Sequence, residues 1–181
     1  MRGLTIIELT VVLIVLAVLT AVIAIPAMNG MAARHRVQGV QAELLGDLQL
    51  ARSEQAQRNG TSTKVSVTFG SNANITCYTI HTVATAACDC TRTPGTTCNG
   101  VAGAQEIKTM QFDRAIGVSV AASGPGGGTV VFKPPQGLLE SAGVVIDVQS
   151  TTRGQLRTSL SGTGVPAVCS PDGSVPGVPT C

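Results

Sequence analysis

The side chains of this chain best equipped for chemistry are six cysteines, two histidines and one carboxylate set in an apolar run. Cys77, Cys88, Cys90 and Cys98 would supply enough thiolates for a tetrahedral zinc ion. However, Cys88-Asp89-Cys90 is not a C-x-x-C knuckle, and no second knuckle accompanies it. An even number of clustered cysteines in a small domain reads instead as a disulfide framework in an oxidising compartment. Cys169 and Cys181 bracket a Pro/Gly-rich stretch and are the favoured terminal pair; the other four are expected to pair among themselves, in an order the sequence leaves open. No metal and no cofactor is expected.

Nothing else reads as catalysis. His35 and His81 have no acid or base spaced near them, and no Ser/His/Asp or paired-carboxylate pattern is present. Gly124-Pro125-Gly126-Gly127-Gly128 lacks the Lys-Ser/Thr end of a phosphate loop and reads as a turn. The protein is therefore expected not to be an enzyme. A formal net charge of +2 is too small to point to nucleic acid or an acidic surface as the main partner. Arg153 and Arg157 could contact phosphates, but two arginines are not a patch, and an aromatic content of 2% leaves almost nothing for base stacking.

The elements that must position these residues begin with the N-terminus. From Leu9 to Pro26 the chain carries no charge, and only Thr10 and Thr20 are polar. Roughly 20 residues from Leu4, at about 1.5 Å each, are long enough to cross a bilayer core of about 30 Å. Basic residues flank both ends (Arg2, then Arg34 and Arg36), so orientation follows from the cysteines, which belong on the oxidising side. A cleavable secretory signal fits poorly, because Ala24-Ile25-Pro26-Ala27 is a weak site after an overlong apolar run. Glu8 is the anomaly: a carboxylate in hydrocarbon costs roughly 2.5 to 3.5 kcal/mol near the bilayer centre. Either it sits near the interface, or it meets a cation such as an amine freed by cleavage before Leu4.

Gly3-Leu4-Thr5-Ile6-Ile7-Glu8-Leu9, followed by an apolar run ending at Pro26, resembles the processing signal of type IV prepilins and type II secretion pseudopilins. The resemblance implies cleavage after Gly3 by a prepilin peptidase and N-methylation of Leu4. It also implies pairing of Glu8 with the terminal amine of a neighbouring subunit. Leu4 departs from the usual Phe, and the leader is only Met1 to Gly3. The stretch Leu48-Gln49-Leu50-Ala51-Arg52-Ser53-Glu54 through Arg58-Asn59 is similar to the helix end of one subgroup, the H pseudopilins and FimT/FimU-type minor pilins. Some FimT-type members bind DNA through Gly-Arg-x-Arg near the C-terminus. Here Gly164-Val165-Pro166-Ala167-Val168 lacks both arginines.

After Pro26, which should kink or loosen the helix, Val37, Val40, Leu44, Leu48 and Ala51 recur at helical spacing and read as a stripe packed on the head. Asn59-Gly60 should stop the helix. Twofold alternation from Val65 onward predicts strands at Thr76–Val83, Glu106–Phe112, Ile116–Ala121, Thr129–Lys133, Val144–Gln149 and Gln155–Leu160 as well. The expected fold is α+β: a long N-terminal helix, transmembrane then amphipathic, on one small disulfide-stapled antiparallel sheet. The expected divisions are 1–3 leader, 4–26 transmembrane helix, 27–60 amphipathic helix and 61–181 head. The resemblance implies a structural subunit of a type IV pilus or type II secretion pseudopilus. It would be a single-pass inner-membrane protein with a periplasmic head before assembly. Its partners would be the prepilin peptidase, other pilins or pseudopilins and inner-membrane lipids. The alternative expectation is a DNA-binding tip pilin for natural transformation.

Overall fold

The computed structural model describes residues 5–58, 63–83, 88–134 and 136–181. Among the described residues, helix α1 (Ile6–Gln57) is followed by nine strands. Thr5 caps α1 in an extended conformation, and the Glu8 N–H donates to Thr5 Oγ1 at 3.4 Å. Thr5-x-x-Glu8 is thus the sequence signature of a capping box. The helix continues through Pro26 and ends with the Arg58 N–H donating to the Glu54 carbonyl. Asn59 and Gly60, the expected stop, lie outside the described residues.

The strands are β1 (Val65–Ser71), β2 (Ile75–Thr82), β3 (Gln105–Asp113), β4 (Val118–Ser123), β5 (Val130–Lys133), β6 (Leu138–Leu139), β7 (Val145–Ser150), β8 (Gln155–Leu160) and β9 (Pro166–Cys169). Alternation explains their faces: in β7, Ile146 and Val148 are buried while Asp147 and Gln149 point outward. Turn chemistry explains their joints. Asn72 Oδ1 accepts from the Asn74 and Ile75 N–H groups, closing the β1–β2 hairpin with an Asx turn. Gly128, at φ +81°, lies so close to the Ala122 carbonyl that a Cβ would approach its oxygen to 2.5 Å; only glycine fits there.

Two antiparallel sheets result. One has the order β3-β2-β1-β5-β6, the other β4-β7-β8-β9. The C-terminal half of α1 lies against β1 and β5 of the first and β4, β7 and β8 of the second. Its stripe of Val37, Val40, Leu44, Leu48 and Ala51 is buried in one core with Val65, Tyr78, Phe132, Ile146 and Leu156. Each large aliphatic side chain so buried contributes about 1.5 to 3 kcal/mol before entropy is counted.

This architecture corrects the expected one in two respects. The β body is a pair of sheets and not one small sheet, because the chain changes sheet between β3 and β4, again between β4 and β5, and again between β6 and β7. The transmembrane assignment also fails: among the described residues no helix is long and apolar enough to cross a membrane. The expected single-pass inner-membrane location is withdrawn with it.

The sheets are joined where β4 runs along an edge. Thr76 Oγ1 on β2 donates to the Val120 carbonyl at 2.7 Å and accepts from the Val120 N–H at 3.1 Å. Both groups are buried, so one hydroxyl satisfies an edge residue that has no strand partner on that side. Thr76→Val keeps the shape and strands both backbone groups. It should lower stability by about 1 to 3 kcal/mol, measured by urea denaturation.

Candidate assembly arm and cysteine-rich loop

Among the described residues, nothing packs against the N-terminal part of α1. Every residue from 6 to 21 is exposed, the large apolar ones from 84% at Ile6 down to 52% at Val15, although nearly all are apolar. Glu8 lies in the first turn, exposed, without an ion pair among the described residues. Its charge suits the positive end of the helix dipole. Gly3 and Leu4, the expected cleavage and methylation positions, lie outside the described residues.

Polar side chains on the buried half of α1 fix how this arm leaves the head. Asp47 accepts from Tyr78 Oη at 2.8 Å and from Lys108 Nζ at 2.7 Å, and Lys108 also lies 3.8 Å from Glu43. Burial first, and then the bond to Asp47, pushes the Tyr78 phenol far above its ordinary range, so it remains a donor. Gln41 donates to Thr158 on β8, while Gln55 Oε1 accepts from the Val65 N–H at 2.6 Å where β1 begins. The helix is thereby tied to both sheets.

The two arginines singled out for phosphate contact are differently placed. Arg157 is engaged by Asp147 across β7 and β8, with bonds of 2.8 and 3.1 Å. Arg153 is exposed beside the helix at Gly30. A groove of about 540 Å³ runs along the helix, lined by Leu48, Arg52, Ala56, Val165 and Pro166 among others.

All six cysteines are paired: Cys77–Cys90, Cys88–Cys98 and Cys169–Cys181. The terminal pair is the one favoured by the sequence. Gly70 makes room for another, since a Cβ there would lie 2.9 Å from Cys90 Sγ. Glu106 pins the loop between β2 and β3: its carboxylate accepts from the Thr97 and Thr109 hydroxyls, both at 2.6 Å, and from the Gly95 and Thr97 N–H groups. Burial pushes this carboxyl up, but the four hydrogen bonds outweigh it and hold its pKa below the usual value. His81 is wholly buried within β2, whereas His35 is exposed. Burial lowers the His81 pKa, and a contact with the Thr82 backbone opposes this, although neither ring nitrogen meets hydrogen-bond geometry. Desolvation is the larger effect and disfavours the charged ring.

The sequence reading missed the roles of Thr5, Asp47 and Glu106. Thr5 alone had a local signal, the Thr-x-x-Glu spacing; the other two depend on partners 61 and 9 residues away. Compared with known proteins, the chain matches no family model, no curated protein and no solved structure.

Glu106 makes the cysteine loop acid-sensitive. Its folded pKa lies below the ordinary 4.5, so as pH falls the unfolded chain takes up this proton first. The stabilisation is complete above about pH 4.5 and is lost as pH falls through the folded value. Glu106→Gln should lower the urea midpoint at pH 7 and flatten its decline between pH 5 and pH 3, followed by circular dichroism.

Proposed function

We propose that this chain is a filament subunit of the type IV pilin-like class, a minor pilin or pseudopilin that assembles through its N-terminal arm. The observation carrying the proposal is the arm itself: an apolar helical segment, exposed on every side, projecting from a head that is otherwise well packed. A helix apolar all round requires burial, and identical arms of neighbouring subunits offer it in a bundle. Within such a bundle one carboxylate sets axial register, because an unpaired charge in an apolar seam disfavours every stagger but the one that brings it a cation. Glu8 is placed for this role, and a terminal amine at Leu4 of the next subunit is the proposed cation. The prepilin peptidase that would create this amine by cutting after Gly3 is a partner under the same proposal. DNA capture receives no comparable support, since Arg157 is already satisfied by Asp147.

Intact mass and N-terminal sequencing of protein recovered from cells test the processing step. The expected chain begins at Leu4 and carries one added methyl group; a chain beginning at Met1, or cut after Ala27, refutes it. Glu8→Ala should leave the stability of the head unchanged and abolish co-sedimentation of the protein with filaments. Normal incorporation of that variant would remove the register role.

A further inference from the structure

His81 has no evident reason to be where it is. It is fully buried, and both ring nitrogens lack a hydrogen-bond partner. Such groups are normally satisfied or tied to a function. Opposite it the β2–β3 ladder is irregular: Ile80 pairs with Lys108 and His81 with Glu106, leaving Ile107 as an extra residue on β3. Here a histidine nitrogen and the sulfurs of Cys88 and Cys98 all lie within 4.8 Å of one another, in residues more than nine-tenths buried.

We infer that His81, Cys88 and Cys98 form a binding site for a thiophilic monovalent metal ion, Cu(I) by preference, when the Cys88–Cys98 pair is in its dithiol form. Two thiolates and one imidazole make a soft three-donor set. Structural zinc almost always takes four ligands, and no fourth His, Cys, Asp or Glu joins the cluster among the described residues. Thr97 places its hydroxyl 3.8 Å from Cys98 Sγ and is itself held by Glu106, an outer shell that fixes the loop.

Disulfide and metal exclude one another, and the exchange balances. Two equivalents of a small-molecule thiol supply two electrons; the Cys88–Cys98 bond breaks, the reductant's own disulfide forms, and each cysteine sulfur takes one proton. Cu(I) then displaces both thiol protons. A metal-loaded loop resists oxidation at this pair, and oxidation expels the metal.

The full-length chain would be reduced anaerobically, freed of reductant, and titrated with Cu(I) against a chromophoric chelator. Far-UV circular dichroism and X-ray absorption would be recorded at one equivalent. The expected result is one tightly held ion with a shell of two sulfurs and one nitrogen, strand signal retained, and no binding by the unreduced chain. His81→Gln should weaken binding at least about tenfold, the loss seen even for outer-shell partners. Cys169→Ser/Cys181→Ser should leave it unchanged. A sulfur-only shell, equal affinity in His81→Gln, binding by the unreduced chain, or loading only after the strand signal is lost would each overturn the assignment. Should His81→Gln fail to fold, the shell measured on the unaltered chain decides.

Discussion

One face of one helix must serve two sheets at once, and the head depends on that constraint. Neither sheet encloses a core alone; each has an apolar face that α1 helps to cover. Leu44 and Val37 sit at zero exposure in this seam. Around them, Asp47, Gln41 and Gln55 replace water for the polar groups that the seam encloses. Apolar packing supplies the attraction, and the polar ties select a single docking angle. The direction of the exposed arm is therefore set by side chains at Gln41, Asp47 and Gln55, well downstream of it.

Much of the head was legible because its signals are local. The helical stripe, the alternating runs and the Asn and Gly turns are read over windows of a few residues, and seven strands fall close to where the alternation puts them. Of the two missed, β6 is two residues long, too short for alternation to register, and β9 opens on Pro166, a residue that argues against a strand. The division into two sheets was not legible. It depends on which strand each edge chooses, and the choice rests on long-range ties such as Thr76 to Val120, across 44 positions. The expected span is not met either, since no helix among the described residues is long and apolar enough to cross a membrane.

The candidate sites divide along the same line. Glu8 stands out in any reading, because a carboxylate beside an apolar run calls for a watery edge or a cation. Its own N–H donates to the Thr5 side chain, so the residue stands at the helix start as well as at the proposed register position. His81 gave no such signal. Its partners at Cys88 and Cys98 reach it only after the chain has formed β2 and folded the following loop back over it.

The three disulfides span 13, 10 and 12 positions. Each closes a short stretch of the β body, and none reaches α1 or crosses from one sheet to the other. Covalent reinforcement therefore hardens the loops and leaves the layers held by packing and hydrogen bonds alone. Pulled by its arm, such a molecule would give way along the helix seam, with every bridge still intact.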